Sequence, residues 1–454
     1  MFFQSLWAKS YNEYLVRVSP EFKTTLTHQL QSFDAKQKVE DLGINNWVLI
    51  KIPKNKTSLF LTQAKTFSGI QKIQPNYAIK LFDNPSLRMT PQNQLKAQAS
   101  ISDNPKIPAE NPKSGNGKDP LFNKQWGMND IGVQEAWKQT RGNSDIIVAV
   151  IDTGVDYTHE DLAPNLWRNI NEIAENGIDD DNNGYVDDII GWDFSENDNK
   201  PFDFLGDIFK GGNPGHGTHC AGNVAARGEN GKGIAGVAPN VKIMVLRFIS
   251  DKGQGTTADA IKAIKYAVDN GAHISSNSWG SEGEDPNDEE GNQALRDAIS
   301  YSEQHGRLFI AAAGNGHQGV GYNNDTDANP AYPASYDHDS IISVAAIDVN
   351  DNFGSFSNWG LNSVDIAAPG VKVFSTTVGN KYSDYVVPFL ATWDGTSMAT
   401  PHVAGAAALY WSKHPTADWQ EVKSAILSSA AKLSHMSGKL VSGGKLDVKA
   451  LLNQ

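Results

Sequence analysis

From residue 119 onward, short apolar runs alternate with longer stretches in which apolar residues recur every three or four positions. The runs include IIVAVID, KIMVLRFI and RLFIAAAGN, and the longer stretches include TTADAIKAIKYAVDN and GNQALRDAISYSEQHG. Unbroken apolar runs are typical of strands buried on both faces, whereas the longer spacing is typical of amphipathic helices. The pattern therefore predicts an α/β fold for residues 119–454, with a mostly parallel sheet covered by helices on both faces.

The first 82 residues follow a different pattern. Three apolar segments, YLVRVS, NNWVLIKIP and YAIKLF, predict strands, and the stretch at about 21–33 and the segment KTSLFLTQAKTF predict helices. This pattern indicates a small α+β unit, for which we predict a ferredoxin-like arrangement. Residues 83–118 are rich in Pro, Asn, Lys and Ser and lack an apolar period, so we predict an exposed linker there, open to proteolysis.

Composition and charge narrow the class of protein. With 454 residues, 39% of them hydrophobic and 20% charged, the chain has the composition of a soluble globular protein. Its net charge of −13 argues against binding to nucleic acids or anionic membranes. Residues 1–82 carry eleven Lys and Arg against five Asp and Glu, which is a net charge of +6. Since the whole chain carries −13, residues 83–454 carry −19. Opposite signs indicate that the two units dock on each other, although separately solvated surfaces also explain them.

The sequence predicts neither a membrane-spanning nor a secretory segment. It contains no run of eighteen apolar residues. Its start, MFFQSLWAKSYNEYLVRV, has no basic region before the short apolar patch and no small-residue cleavage site. The single cysteine, Cys220, excludes an internal disulfide framework. These features leave the cellular compartment open.

Several polar residues follow directly on predicted strands. Asp152 ends IIVAVID, Asn277 and Ser278 end HISSNS, and Asn315 follows LFIAAAG. In open parallel sheets, functional groups gather just beyond the carboxyl ends of the strands. A lone aspartate at such a place is more often a turn former or a helix cap, so Asp152 by itself is only a candidate.

Two glycine-bounded motifs carry further candidates. The segment NPGHGTHCAG places His216, His219 and Cys220 within five positions, an arrangement found in thiol proteases, in metal sites and at polar helix starts. His216 stands at the start of a predicted helix, whereas we expect His219 to be a hydrogen-bonded packing residue. The segment DGTSMATPHVAGAAALYW places Ser397 at the head of an Ala-rich helix, where serine also serves as a cap.

The three motifs occur in the order Asp, His, Ser. Amide hydrolysis by serine requires a nucleophilic hydroxyl, an imidazole base, a carboxylate that orients the base, and donors for the oxyanion. The order is that of subtilisin, and residues 119–454 resemble the subtilisin-like serine proteases. The resemblance implies that Asp152 orients the imidazole, His216 is the general base, Ser397 is the nucleophile and Asn315, in AAAGNGH, is an oxyanion donor. His219 and Cys220 would then be structural.

The resemblance also implies a substrate-binding surface for proteins and peptides. The segment NSWGS matches the part of the family that pairs with extended substrate, and AAAG matches the opposite wall of the S1 pocket. Small alanines leave room for a large apolar side chain, so we expect broad cleavage with an apolar preference by a monomeric enzyme. The substrate-binding residues implied are Ser278, Trp279, Gly280, Ala312, Ala313 and Gly314.

An acidic insertion, NGIDDDNNGYVDDIIGWDF, separates Asp152 from His216. It fits D-x-D-x-N-G-x-x-D, the oxygen pattern of EF-hand calcium loops, except that Ile190 stands where a bidentate Glu is usual. Hard oxygens at that spacing favour Ca²⁺, although solvated acidic loops share this composition. The candidate ligands here are Asp179, Asp181, Asn183 and Asp187. The family resemblance alone implies a second calcium site, at Asp119, Asp161 and Asn230.

By the same resemblance, residues 1–82 correspond to a prodomain that assists folding and then caps the cleft as an inhibitor. Residues 83–118 would contain the maturation site, so we expect self-cleavage between Phe82 and Asp119. The family also implies an extracellular or periplasmic location, for which this chain shows no signal peptide.

Two alternatives belong to other classes. An α/β-hydrolase esterase requires Ser before Asp and His, but only 57 of the 454 residues follow Ser397, and GTSMA does not fit G-x-S-x-G. A calcium-loaded binding module with a degenerate triad is the non-enzymatic alternative, and the presence of every catalytic position argues against it.

Overall fold

The computed structural model describes residues 11–33, 39–82, 84–89, 105–112, 115, 117–282 and 291–454. The larger part is an α/β unit built on a nine-stranded sheet, as the sequence pattern predicts. The strands, numbered along the chain, are β1 Tyr11–Val18, β2 Glu40–Asp41, β3 Trp47–Pro53, β4 Ile70–Pro75, β5 Ala78–Lys80, β6 Ile147–Asp152, β7 Gly191–Asp193, β8 Lys242–Arg247, β9 Gln254–Thr256, β10 Ile274–Asn277, β11 Leu308–Ala312, β12 Ile341–Ile347, β13 Ile366–Pro369, β14 Ser375–Thr377, β15 Lys381–Ser383, β16 Tyr385–Val387, β17 Ala391–Thr392, β18 Ala431–Lys432 and β19 Gly444–Lys445.

The nine-stranded sheet has the order β18-β19-β13-β12-β11-β10-β6-β8-β7. Neighbouring strands are parallel, except that β18 and β19 are antiparallel. The central strands β10 and β11 are buried along their whole length, because helices cover both faces of the sheet. Parallel strands end at a common edge, so Asp152, the last residue of β6, and Asn277, the last residue of β10, lie at the same edge.

Helices cover the two faces in separate groups. One face packs against the helices that begin at His216, Thr396 and Trp419, and the other against the helices that begin at Thr257 and Gln293. No helix among the described residues is both long and apolar enough to cross a membrane. The helices are α1 Phe22–Gln31, α2 Thr57–Ala64, α3 Pro85–Met89, α4 Trp126–Asp130, α5 Val133–Ala136, α6 His216–Ala225, α7 Thr257–Asp269, α8 Gln293–Gln304, α9 Thr396–Lys413, α10 Trp419–Ser429 and α11 Val448–Leu452.

The N-terminal unit has its own antiparallel sheet, in the order β2-β3-β1-β4. With α1 and α2, the chain order is β-α-β-β-α-β, which is the ferredoxin-like arrangement. Val16, Val48 and Phe60 belong to its core. The sequence pattern missed β4, because its residues IQKIQP hold only two isoleucines between polar positions.

The strand predicted at YAIKLF does not join the N-terminal sheet. Instead, β5 pairs antiparallel with β9 of the α/β unit. The N-terminal sheet also rests on α7 and α8. There, Trp47 Nε1 donates a hydrogen bond to Asp297 Oδ2 at 2.8 Å, and Gln74 Nε2 donates to Asn292 Oδ1 at 2.8 Å. The two units are therefore packed together through both strand pairing and buried polar contacts.

Several of the described residues in the predicted linker, 83–118, contact the α/β unit. Pro85 is buried. Tyr157 Oη donates to the carbonyl oxygen of Pro105 at 2.7 Å, and Arg168 Nε donates to Asn111 Oδ1 at 2.7 Å. These linker residues lie on the α/β unit because they find hydrogen-bond partners there. The other predicted linker residues, 83, 90–104, 113–114 and 116, lie outside the described residues.

Candidate active site

His216 and Asp152 meet at the carboxyl edge of the sheet. Asp152 ends β6, and His216 is the first residue of α6. His216 Nδ1 donates to Asp152 Oδ1 at 2.8 Å, and both side chains are buried. The helix begins this close to the strand because residue 217 is glycine, since a Cβ there would lie 2.1 Å from the carbonyl oxygen of Gly154.

The charge of Asp152 determines the protonation of His216. Burial lowers the pKa of His216, but the adjacent carboxylate outweighs burial, so the pKa of the imidazole lies well above its ordinary value of 6.5. His216 Nε2 has no hydrogen-bond partner among the described residues. The ring is therefore held at Nδ1, and Nε2 is left to exchange a proton.

Ser397 is the second residue of α9 and faces the same cleft as His216. Its Oγ donates to the carbonyl oxygen of Ser278 at 3.0 Å, and Ser278 Oγ donates to the carbonyl oxygen of Ser397 at 2.9 Å. His216, Ser397 and Asn315 line one cleft of about 340 Å³. The serine hydroxyl and the imidazole are thus in one cavity, with the hydroxyl bonded to Ser278.

The amide of Asn315 is oriented by the start of α9. Its Oδ1 accepts hydrogen bonds from the backbone N–H and from Oγ1 of Thr396, each at 2.9 Å. Residue 395 is glycine with φ of +154°, and a Cβ there would lie 3.2 Å from Asn315 Nδ2. Thr396 therefore fixes the orientation of the Asn315 side chain at the start of α9.

The two other residues of the NPGHGTHCAG segment have packing contacts. His219 is stacked on Trp393 with ring centroids 4.3 Å apart, its Nε2 lies 3.1 Å from the carbonyl oxygen of Val373, and burial lowers its pKa to about 3. Cys220 Sγ lies 3.8 Å from His216 Nδ1, and burial raises the pKa of the thiol. A buried neutral thiol is a poor nucleophile, which disfavours the thiol-protease alternative.

Comparison with known protein families identifies the chain. The subtilase family matches residues 143–444, which is more than half of the sequence. The chain belongs to the subtilase family. By this membership it is a subtilisin-like serine endopeptidase.

Individual subtilases are similar over most of this chain. A thermophilic serine proteinase of Bacillus sp. strain AK1 is 37% identical over 326 residues, covering 69% of this chain and 66% of that protein. Thermitase of Thermoactinomyces vulgaris is 37% identical over 317 residues, covering 70% of this chain and 92% of thermitase. Subtilisin-like protease 1 of Plasmodium berghei is 30% identical over 344 residues, which span 73% of this chain but only 53% of that protein.

The end of the N-terminal unit runs through the cleft of this subtilase as an extended segment. Beyond β5, the backbone N–H of Leu81 donates to the carbonyl oxygen of Gly253 at 3.2 Å. On the other side, the backbone N–H of Gly280 donates to the carbonyl oxygen of Lys80 at 3.4 Å. The segment therefore lies as an added strand between two segments of the α/β unit.

Phe82 fills an apolar pocket at the end of this strand. It is 7% exposed and packs with Ala312 and Ala331. Glycine at 280 makes room for the ring, since a Cβ there would lie 2.5 Å from Phe82 Cζ. A phenylalanine thus occupies the place where the sequence predicts a pocket for a large apolar side chain.

The predicted substrate-binding residues divide into two groups. Gly280 and Ala312 lie against the bound segment, as described above. The side chains of Ser278 and Trp279 are fully buried, with Trp279 packed edge-on against Phe248 at 4.9 Å between centroids. Ala313 packs in a different apolar cluster, and the backbone N–H of Gly314 donates to Thr396 Oγ1 at 3.2 Å. These four residues are packed beneath the residues that line the cleft.

Glu282 also belongs to the site, although the sequence does not indicate it. Its Oε1 accepts hydrogen bonds from the backbone N–H groups of Asn315 at 2.8 Å and Gly316 at 3.0 Å. A Cβ at Gly314 would lie 2.6 Å from the same oxygen. Glu282 therefore fixes the backbone that carries Asn315. Nothing in the sequence signals this contact, because Glu282 belongs to an acidic run 33 positions before Asn315.

The acidic insertion brings three carboxylates together. One carboxylate oxygen from each of Glu172, Asp179 and Asp181 lies within 4.8 Å of the other two. Asn183 lies beside them, its backbone N–H donating to Asp181 Oδ1 at 3.0 Å. Asp187 is directed elsewhere, because its two oxygens accept the backbone N–H groups of residues 176 and 177. The structure thus adds Glu172 to the predicted set and gives Asp187 a different role.

The second predicted calcium site is assembled from three distant segments. Both oxygens of Asp119 accept backbone N–H groups, those of Glu229 at 2.9 Å and Asn230 at 3.2 Å. Asp161 Oδ1 accepts a hydrogen bond from Asn230 Nδ2 at 2.7 Å. Burial raises the pKa of both Asp119 and Asp161, and the nearby Asp161 carboxylate raises the pKa of Asp119 further. Two carboxylates in one half-buried place are a donor set that suits a hard divalent cation.

Proposed function

We propose that Asp152, His216 and Ser397 form the catalytic triad of this endopeptidase. The observation that supports this most is the 2.8 Å bond between His216 Nδ1 and Asp152 Oδ1, with Ser397 in the same cleft. His216 Nε2 takes the proton of Ser397 Oγ as the hydroxyl attacks the substrate carbonyl carbon. It then donates that proton to the leaving amine, which releases the first product and leaves an acyl-enzyme. Water, activated by the same imidazole, hydrolyses the ester.

The oxyanion of the tetrahedral intermediate needs two donors. Asn315 Nδ2 and the backbone N–H of Ser397 provide them in this proposal. Thr396 and Glu282 hold the asparagine from its side chain and its backbone, so little reorganisation is needed when the negative charge develops. A preorganised donor of this kind contributes on the order of a hundred- to a thousandfold in turnover.

Residues 1–82 act in this proposal as a prodomain that inhibits its own enzyme. Their last five described residues lie as a substrate strand, and Phe82 fills the apolar pocket. Phe82 lines the same cleft as Ser397, so we expect the enzyme to cleave first the bond that follows Phe82. The preference for apolar residues before the scissile bond follows from the same pocket, because its walls are Gly280, Ala312 and Ala331.

Calcium is the proposed cofactor, with a structural role. In the insertion, Glu172, Asp179 and Asp181 would hold the ion, with Asn183 beside them. Asp119 and Asp161, with Asn230, would hold a second ion and tie the start of the α/β unit to its body. An ion that binds only the folded state stabilises it. We also propose, from the family resemblance, that the enzyme acts outside the cytoplasm.

Labelling with a fluorophosphonate probe tests the assigned nucleophile. We expect one adduct on the processed enzyme, located on Ser397 by peptide mapping, and no adduct on Ser397→Ala. Ser278→Ala is the matched control, because Ser278 Oγ bonds the backbone of Ser397 and yet is no nucleophile in the proposal. An adduct on a residue other than Ser397 would refute the triad.

A further inference from the structure

Beyond Phe82, Asn84 and Leu87 line the same cleft, and Leu87 occupies a second apolar pocket there. Asn84 Nδ2 donates to the carbonyl oxygen of Thr392 at 3.0 Å, and Ser86 Oγ lies 2.9 Å from Thr392 Oγ1. Leu87 follows on the short helix α3 and packs against an apolar cluster that is separate from the Phe82 pocket. The segment after Phe82 is therefore bound as specifically as the segment before it.

Four residues form the second pocket, which we call the Leu87 pocket: Ile208, Phe209, Trp393 and Met398. They come from two places in the fold. Trp393 and Met398 flank Ser397 in sequence, whereas the turn that carries Ile208 and Phe209 is fixed by Asp207, whose Oδ1 accepts the backbone N–H of Phe209 at 3.1 Å. Part of the pocket thus belongs to the same segment of the chain as Ser397.

A hairpin directly before Ser397 supports the pocket from behind. Its strands are β16 and β17, and Val386, Val387 and Ala391 point into the apolar cluster, with exposures of 3%, 8% and 1%. The tip residue Phe389 points away and is 91% exposed. The inward side of the hairpin is therefore a packed wall, and Phe389 takes no part in it.

We propose that the Leu87 pocket is a substrate subsite that selects a leucine-sized apolar side chain on the fifth residue after the scissile bond. This inference rests on the proposed function, with Phe82 before that bond. Leu87 is the fifth residue from it and lies within the short helix α3, so a substrate bound in the same way turns here and is no longer extended. The protein substrates selected are those with an apolar residue before the bond and a second one five positions after it.

Three peptides and two variants test the subsite on the full-length chain after it has processed itself. Two internally quenched peptides carry the sequence of residues 78–90, one with leucine and one with alanine at the fifth position after phenylalanine. The third peptide ends at phenylalanine with a chromogenic amide, so it reports hydrolysis without any residue beyond the bond. The variants are Ile208→Ala, in the pocket, and Phe389→Ala, on the exposed hairpin tip.

We expect the wild type to show a kcat/KM about tenfold higher for the leucine peptide than for the alanine peptide, since a partly buried leucine side chain supports a factor of that size. Ile208→Ala should reduce the ratio to about twofold or less, whereas Phe389→Ala should keep it. Equal rates for both peptides in the wild type, or an unchanged ratio in Ile208→Ala, would overturn the subsite while hydrolysis of the amide upholds the proposed function. If none of the three peptides is cleaved, both the subsite and the proposed function are overturned.

Discussion

At the scale of single residues, we expect the contact between His216 and Asp152 to set the pH dependence of this enzyme. A base catalyst must be neutral to accept the serine proton. Burial lowers the pKa of His216, and the Asp152 carboxylate raises it to a net value well above 6.5. The imidazole is therefore protonated and inactive at low pH and becomes competent only as the pH rises through this raised pKa.

We therefore predict that kcat/KM rises with pH through a midpoint above about 6.5. Asp152→Asn removes the charge that raises the pKa and leaves burial, so the midpoint should move to lower pH. Turnover should fall on the order of 10⁴-fold in this variant, because the imidazole also loses its orienting partner. The measurement is kcat/KM against pH for both enzymes. The same midpoint in both would show that Asp152 does not control His216.

Sequence motifs indicate those candidate residues that stand in a short, recognisable segment of the chain. Asp152, His216, Ser397 and Asn315 each stand in a short glycine-bounded segment, so their chemistry could be predicted before their positions were known. Glu282 could not, because its partner Asn315 lies 33 positions away and the bond goes to a backbone N–H group. Backbone contacts of this kind leave no residue-type pattern in a sequence.

At the scale of elements, the acidic insertion differs from its predicted form in one instructive way. The spacing of an EF-hand loop assigns Asp179, Asp181 and Asp187 to the same ion. In the structure, Glu172 from before the loop joins Asp179 and Asp181, while Asp187 binds the turn at Asn176 and Gly177. Ligand spacing indicates the kind of ion, but the path of the chain decides which carboxylates meet.

The different roles of Asp181 and Asp187 predict different responses of their variants to calcium. Asp181→Asn should reduce the rise in Tm that calcium produces over a chelator by about 5 °C, since it removes a ligand charge from one site. The rise that remains belongs to the site at Asp119 and Asp161. Asp187→Asn, the matched control, should lower Tm with and without calcium and keep the full rise, because it replaces one of the two oxygens that accept the backbone N–H groups of Asn176 and Gly177.

Thermal unfolding of these variants in the Ser397→Ala background, which avoids self-digestion, provides the measurement. If Asp181→Asn keeps the full calcium-dependent rise, the insertion holds no stabilising ion. If Asp187→Asn loses the rise, then Asp187 is a ligand after all, as the spacing of the motif predicts.

Local pattern predicted the strands and helices well where the apolar residues are dense. Buried β6, β8 and β11 were evident from continuous apolar runs. The sparse strand β4 was missed, and YAIKLF was correctly predicted as extended but pairs with β9 rather than with the N-terminal sheet. The partner of an edge strand depends on what docks beside it, and a sequence pattern contains no information on docking.

At the scale of the whole molecule, the two units are held together by specific contacts more than by net charge. The opposite signs of the two segments predict attraction, and one pair of that kind is Arg17 with Asp297 at 3.6 Å. Strand pairing of β5 with β9 and the buried hydrogen bond from Trp47 to Asp297 add contacts that depend on register. These contacts hold Phe82 in the cleft that Ser397 also lines.

We propose that this chain cleaves itself with Ser397. The most direct test of self-cleavage is the intact mass of the protein followed over time in calcium buffer. The wild type should lose residues 1–82, so that the first new chain begins at Asp83, whereas Ser397→Ala should remain at its full 49.3 kDa. Cleavage of both proteins at the same rate, or a wild type that stays intact and cleaves no peptide, would contradict the account.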